Sequence, residues 1–139
     1  MCDTTADCEV SLPLEPGAPR EVRGHLLRWL EWWSWPVESR PAVAVAVQEA
    51  VDNAVKHSGA EYGIGETDRV VWISGEGERC DHGRRLRFRV RDHGRWRPPS
   101  TTRGWRGLLL MTRLMERVRI HRGASGTTVM LLTGAAEPA

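Results

Sequence analysis

The spacing of apolar residues predicts two amphipathic helices in the first half of the chain. Between residue 19 and about residue 33, apolar side chains recur every three or four positions, and Pro36 closes the segment. Residues 41–57 show the same period, with a proline in the first turn and Ser58 and Gly59 at the end. Each segment has one apolar stripe, so we expect both helices to pack on a common core.

Alternation of apolar and polar residues predicts five strands in the chain, and a third helix is expected between the third and fourth of them. The strands are expected at residues 8–14, 69–74, 86–91, 118–121 and 127–132, the first at a sheet edge and the last two as a hairpin around residues 123–126. Residues 75–83 are predicted to be a glycine-rich turn. Residues 93–106 contain glycines and paired prolines and are predicted to be irregular, with a helix at 108–117.

This order of elements predicts an α+β fold. We expect a two-layer sandwich, in which helices cover one face of a mixed, mainly antiparallel sheet. The length fits a single domain over residues 1–139, with residues 1–7 and 134–139 as candidates for disordered ends.

Composition favours a cytoplasmic protein. Hydrophobic residues make up 40% and charged residues 27% of the chain, both near the average for globular proteins. No apolar run approaches the roughly 20 residues that cross a bilayer, and the start of the chain lacks a secretory signal. The three cysteines are odd in number and lack metal-type spacing, which favours free thiols in a reducing compartment.

The charge of the chain is unevenly distributed. The formal net charge is only +2, but residues 84–122 hold 13 arginines and two acidic residues, a charge of +11, so the rest carries −9. Several of these arginines alternate along a predicted strand and others flank acidic residues, which argues against direct nucleic-acid binding. The segment could form one wall of a pocket for a polyanion, or its strand arginines could coat a solvated sheet face.

Four of the seven tryptophans crowd the end of the first helix, at Trp29, Trp32, Trp33 and Trp35. Packing into the core is the favoured interpretation, and an exposed partner surface is the alternative.

Three groups of polar residues have the chemistry of a binding site. Glu49, Asn53 and His57 are spaced four residues apart, so they share one face of the second helix and offer a base, an amide ligand and an imidazole. A solvated helix face would also show such residues. The second group is Asp92, at the end of a predicted strand, with Gly94 two residues later. The Asp92 carboxylate could accept a hydrogen bond from an exocyclic amine, or the segment could be an ordinary Asp-containing turn.

The third group is the segment Arg103-Gly104-Trp105-Arg106-Gly107 before a helix. Backbone N–H groups at a glycine-rich helix start bind phosphate, and the arginines add positive charge, although each feature alone indicates only a generic anion site.

The order of these groups resembles a known family. The stretches EAVDNAVKHSG, VRDHG, RGWRGLLLM and GTTV resemble the four boxes of the GHKL ATPase superfamily. They are most similar to the small bacterial anti-sigma factor serine kinases and to the ATP-binding domains fused to serine phosphatases in actinobacteria. The resemblance covers almost the whole chain and implies the Bergerat ATP-binding fold.

The resemblance also implies roles for individual residues. Glu49 matches the general base, Asn53 the Mg²⁺ ligand, and Asp92 the adenine-binding aspartate, with Gly94 giving clearance for the ring. The remaining matches are the phosphate-facing box of Arg103, Gly104, Arg106, Gly107 and Leu108, and Thr127 or Thr128 at the adenine site. His57 matches a position that is often His in the family, where a structural or supporting role is favoured and a catalytic role is the alternative. One departure is Trp105, which stands where the family has the first glycine of Gly-x-Gly-Leu.

The implied function is that of an ATP-dependent switch protein. It would bind ATP and Mg²⁺, sequester a sigma factor, and phosphorylate a serine on a small anti-sigma antagonist. Homodimers are common in the family, although no stretch here identifies an interface, and no membrane partner is expected. The alternatives are a non-catalytic partner-binding module of the same fold and an ATP-binding domain of a larger phosphatase or sensor protein.

Overall fold

The computed structural model of the chain describes residues 3–56, 69–81, 83–94 and 102–137, without the side chains of residues 3–6 and 102–105. The elements are β1 (Asp3–Pro13), α1 (Ala18–Trp32), a short 3-10 turn (Val37–Ser39), α2 (Arg40–Lys56), β2 (Val70–Cys80), β3 (Gly83–Asp92), α3 (Thr102–Leu114), β4 (Arg117–Gly123) and β5 (Gly126–Leu132).

The strands form one five-stranded sheet in the order β1-β2-β3-β5-β4. Every pairing between these described strands is antiparallel. β1 lies at one edge, as its weak alternation predicted, and β4 lies at the other. After Leu132, the backbone of Ala136 forms a bridge with Arg84 of β3.

The helices lie against one face of the sheet, which we call the inner face; the other is the open face. Along β3 the apolar side chains of Leu86, Phe88 and Val90 are buried on the inner face, whereas the alternating arginines lie on the open face. Helices α1 and α2 contribute their apolar stripes to the same core, which includes Leu26, Leu30, Val47 and Val51. This confirms the two-layer α+β fold.

β2 is longer than predicted, because the glycine-rich stretch after Ser74 continues the strand. An ideal Cβ at Gly75 would lie 2.8 Å from the Phe88 ring, and one at Gly77 would lie 2.6 Å from the Trp33 ring. These glycines therefore provide clearance for aromatic rings on the inner face. The third helix also differs from its prediction: it begins at Thr102, within the segment expected to be irregular, and it ends at Leu114.

The tryptophan cluster is mostly core. Trp29, Trp33 and Trp35 are buried, and the ring of Trp33 stacks on each of the other two, with centroids 6.0 Å and 5.8 Å away. Trp32 alone of the four is exposed, at 71%. The buried guanidinium of Arg84 lies over Trp33 and Trp35 and donates hydrogen bonds to the carbonyl oxygens of Trp33 and Ser34 at 3.0 and 3.2 Å. Core packing is therefore confirmed for the three buried rings.

The cysteines differ from one another. Cys8 is a free thiol whose pKa is raised to about 11, mainly by burial. Cys80 is disulfide-bonded, so the prediction of free thiols is wrong for this residue.

Within the described stretches, no helix is both long enough and apolar enough to cross a membrane.

Candidate functional site

Asp92 is a buried carboxylate at the inner-face end of β3. It is only 6% exposed, and its Oδ1 accepts a hydrogen bond from the backbone N–H of Gly94 at 2.6 Å. The described residues supply no donor to Oδ2. Burial raises the pKa of Asp92 to about 6, against the smaller opposing effects of the Gly94 N–H and His93. Oδ2 thus has no donor among the described residues and is free to accept a hydrogen bond from a bound group.

Thr127 and Gly126 hold the turn that follows Asp92. Thr127 is the register partner of Asp92 on β5, and its buried hydroxyl donates to the carbonyl oxygen of Gly94 at 3.0 Å. Gly126 has φ +145°, and a Cβ there would collide with the carbonyl oxygen of Asp92. Sequence reasoning treated Gly126 only as part of a hairpin turn. Its positive φ and tight contact show that it also fits the hairpin against the aspartate.

The two threonines of the predicted adenine site lie on opposite faces of the sheet. Thr128 pairs with Arg91 and lines a depression on the open face beside Trp72. Thr127 shares the inner face with Asp92. Side chains alternate along a strand, so only one of two consecutive residues can face the site.

Glu49 and Asn53 lie one turn apart on α2, and both are half-buried. The pKa of Glu49 is raised, first by burial and then by the negative charge of Asp52, while Lys56 acts in the opposite direction. Lys56 lies 2.7 Å from the Asp52 carboxylate, so it is already paired. Glu49 is therefore a more basic carboxylate than an exposed one.

Helix α3 lies directly against Glu49. An ideal Cβ at Gly107 would be 2.6 Å from Oε2 of Glu49, so any larger residue at this position would displace the carboxylate or the helix. Gly107 is the sixth residue of α3. At this position the backbone N–H bonds to the carbonyl four residues earlier in the helix, so it is not free to bind a phosphate. The free N–H groups of a helix belong to its first turn, which here contains Arg103 and Gly104.

The other predicted site residues are placed only in part. Arg106 is exposed on α3, and Leu108 packs against the core. Arg103 and Gly104 lie on α3, but their side-chain surroundings are outside the description, as are those of Trp105. His57 and residues 95–101, part of the segment predicted to be irregular, also lie outside the described residues.

The residues present fit a magnesium nucleotide. Oδ2 of Asp92 has no donor among the described residues, and a carboxylate oxygen of this kind can accept a hydrogen bond from an exocyclic amine. Among the described residues, no cluster of three or more His, Cys, Asp or Glu side chains could hold a metal by itself. Asn53 offers an amide oxygen from the helix face that also carries Glu49, which suits Mg²⁺ because this ion usually binds through one or two protein oxygens and the phosphates of its nucleotide.

Solved structures share the fold of this chain. The crystal structure of the RsbU and RsbW domains of Rv1364c from Mycobacterium tuberculosis matches with a TM-score of 0.72 at 25% identity, over 97% of this chain and 34% of that chain. The blue-light activated histidine kinase of Erythrobacter litoralis EL346 matches at 24% identity with a TM-score of 0.51, over 70% of this chain and 31% of that chain, and this match shows the fold alone. The present chain thus spans about a third of the length of each.

The sequence also matches a family model. Residues 12–133, which include Glu49, Asn53, Asp92 and Thr127, match the model described as a histidine kinase-like ATPase domain. The chain therefore belongs to the histidine kinase-like ATPase domain family, as its resemblance to the GHKL superfamily predicted.

Proposed function

We propose that this chain binds ATP with Mg²⁺ and acts as an anti-sigma factor and serine-protein kinase. In this proposal it sequesters a sigma factor and phosphorylates a serine on a small anti-sigma antagonist. The observation that carries the nucleotide part is the buried Asp92 carboxylate, which has one oxygen held by Gly94 and the other without a donor among the described residues. The kinase and partner assignments rest on the resemblance of the four sequence boxes to the anti-sigma factor serine kinases, and the likeness to a protein with an RsbW domain is in keeping with them.

Adenine recognition would use Asp92 as the hydrogen-bond acceptor. The 6-amino group of adenine donates to Oδ2, while Gly94 leaves space for the flat ring. Thr127 fixes the carbonyl of Gly94, so the turn is organised before the nucleotide binds. Bringing a donor to a desolvated carboxylate stabilises its charged form, so binding would lower the pKa of Asp92 from its raised value.

Phosphoryl transfer would use Glu49 and Asn53. Mg²⁺, when bound, neutralises charge on the phosphate oxygens, and Asn53 would hold it with its amide oxygen. Glu49 would accept the proton of the serine hydroxyl as the serine oxygen forms its bond to the γ-phosphorus and the bond to the β–γ bridging oxygen breaks, releasing ADP. The raised pKa of Glu49 favours this role, because a general base works best when its pKa approaches the working pH.

Regulation would follow from the added phosphate. A phosphoserine carries about −1.5 to −2 charges at neutral pH, so phosphorylation changes how an antagonist docks on a charged surface. Transfer to the antagonist would therefore release it and leave the sigma factor bound.

A second candidate is a non-catalytic module of the same fold. The position of Gly107 favours it, because an N–H in the interior of α3 is committed to the helix and cannot cradle a phosphate. In that case the chain would sequester its partner by surface contact. An ATP-binding domain that serves a larger phosphatase or sensor protein is the related alternative.

Transfer of labelled phosphate distinguishes these functions. We would incubate the chain with γ-labelled ATP, Mg²⁺ and the proteins of its source cell, and compare Glu49→Gln with the matched exposed change Glu31→Gln. The kinase proposal predicts one small protein labelled on serine by the wild type and by E31Q, with at least a hundredfold less label by E49Q although ATP still binds. ATP binding without any serine label would instead support the non-catalytic module.

A further inference from the structure

A groove on the open face of the sheet lies between two rows of arginines. Leu132 of β5 has Arg87 on one side and Arg117 on the other, and the same register places Met130 between Arg89 and Arg119. Together these six side chains line a groove of about 210 Å³, which we call the arginine groove. It lies on the face opposite to Asp92 and Glu49.

The two arginine rows differ in their ion pairs. On β3, Arg87 lies 2.7 Å from Glu78, and Arg89 lies 3.6 Å from Glu76. On β4, Arg117 and Arg119 are exposed, and neither has an ion-pair partner in the part of the chain that the structure describes. The sequence from residue 117 to residue 132 contains no acidic residue at all. The β4 side of the groove therefore carries uncompensated positive charge.

The floor of the groove is aliphatic. Met130 and Leu132 are half-buried and face outward between the arginines. The two arginine rows are separated by two strand spacings, or about 10 Å, which is enough for one extended peptide chain to lie between them. Carboxylates on either side of such a peptide would reach the guanidinium groups, and its apolar side chains would cover the floor.

We propose that the arginine groove binds an acidic peptide segment of a partner protein, in which aspartates or glutamates are interspersed with aliphatic residues. Arginine recognises carboxylates through paired N–H donors, which gives both attraction and orientation. The proposal goes beyond the kinase function and does not depend on it, because the groove shares no residue with the candidate nucleotide site.

The lining of the groove favours a peptide over single-stranded nucleic acid. Nucleic-acid sites of this kind stack bases on aromatic rings, and the arginine groove contains none. Trp72 is a partly exposed ring on the same open face, but it lies on β2, outside the groove. It already contacts His93, at 5.0 Å, and Arg91, at 5.9 Å.

Fluorescence anisotropy with a defined probe tests the proposal. The probe is a fluorescein-labelled peptide of three Glu-Glu-Leu repeats, compared with the same peptide carrying Gln for Glu and with an oligo(dT) strand. We expect the acidic peptide to bind the wild type at least tenfold more tightly than either comparison. The double change Arg117→Glu and Arg119→Glu should weaken the peptide at least tenfold. Arg20→Glu with Arg23→Glu, the same charge change on the exposed side of α1, should alter it less than twofold.

The proposal would be overturned if the wild type did not bind the acidic peptide at millimolar concentration, or if it bound oligo(dT) more tightly than the peptide. Equal losses of peptide affinity in the two double variants would also overturn it. So would a groove variant that lost self-association but kept its affinity for the peptide. Circular dichroism verifies that both variants are folded. ATP binding should be unchanged in the groove variant. A failure of the ATP proposal would appear in the wild type and is thus separate from a failure of this one.

Discussion

The two faces of β3 show how one alternating sequence supplies two different surfaces. Leu86, Phe88, Val90 and Asp92 face the helices, and each is buried. Arg87, Arg89 and Arg91 face away and are exposed or half-buried. Inner-face residues are therefore constrained by packing, whereas open-face residues are free to carry charge. The candidate nucleotide site and the arginine groove are consequently independent features on opposite sides of one sheet.

Truncation of a core side chain should have the largest effect. Phe88→Ala is expected to lower the free energy of unfolding by about 3–5 kcal/mol, since it leaves a cavity beside Trp29 in the core. Arg89→Ala, one residue away on the open face, should change it by no more than about 0.5 kcal/mol. Urea denaturation measures both. Equal losses would mean that the open face is also packed.

The pH dependence of stability should report the inner-face carboxylate. The folded-state pKa of Asp92 is about 6 and the unfolded value is 3.8, so the folded protein holds the proton more tightly. The contribution of Asp92 to the free energy of unfolding should therefore be greatest below pH 4. This contribution should fall by up to about 3 kcal/mol as the pH rises from about 4 to 6.

Asp92→Asn removes the titrating group, so this part of the pH dependence should disappear in urea titrations at several pH values. Asp81→Asn, a change at an exposed turn, is the control and should leave the profile unchanged. If the wild type and D92N gave the same profile, Asp92 would not be a buried carboxylate in solution.

Arg84 and Arg85 allow the same comparison between adjacent arginines. Arg84→Ala should lower the free energy of unfolding by about 1–3 kcal/mol, because it removes the donor to the buried carbonyl oxygen of Trp33. Arg85 pairs with Glu116 at 3.4 Å on the surface, so Arg85→Ala should cost less than about 1 kcal/mol. Thermal unfolding gives both values, and a larger loss for R85A would contradict the assignment of faces.

Gly107→Ala should affect the site more than the fold. Alanine favours a helix more than glycine by about 1 kcal/mol, but its methyl group would meet the Glu49 carboxylate. We therefore expect little change in thermal stability and a reduced rate of phosphate transfer. Gly24→Ala on α1 meets only the end of the Arg28 side chain, at 3.5 Å, and serves as the control. A transfer rate for G107A equal to that of G24A would contradict the contact.

Much of the fold could be predicted from local patterns. The strands, the first two helices and the antiparallel hairpin follow from periodicities that are set by burial on one face. The extension of β2 could not be predicted, because Gly75 and Gly77 are needed only where the rings of Phe88 and Trp33 cross the strand. The start of α3 at Thr102 was missed for a similar reason: glycines that break an isolated helix are tolerated when a neighbouring side chain such as Glu49 fills their space.

The candidate site was predicted as a set of residues but not as a geometry. The order of the sequence boxes indicated Glu49, Asn53 and Asp92 together, whereas the choice between Thr127 and Thr128 needed the register of β5 against β3. The contact of Gly126 with Asp92 and the contact of Gly107 with Glu49 join elements that are distant in sequence. No local pattern reports such contacts.

Calorimetric titration with ATP and Mg²⁺ tests the central claim, that the inner-face carboxylate at Asp92 recognises the nucleotide. The wild type and D81N should bind ATP with equal affinity, and D92N should bind about 100-fold more weakly, because it loses a charged acceptor and presents a donor to the adenine amine. ATP binding by D92N at wild-type affinity, or no heat from the wild type at millimolar ATP, would contradict the account.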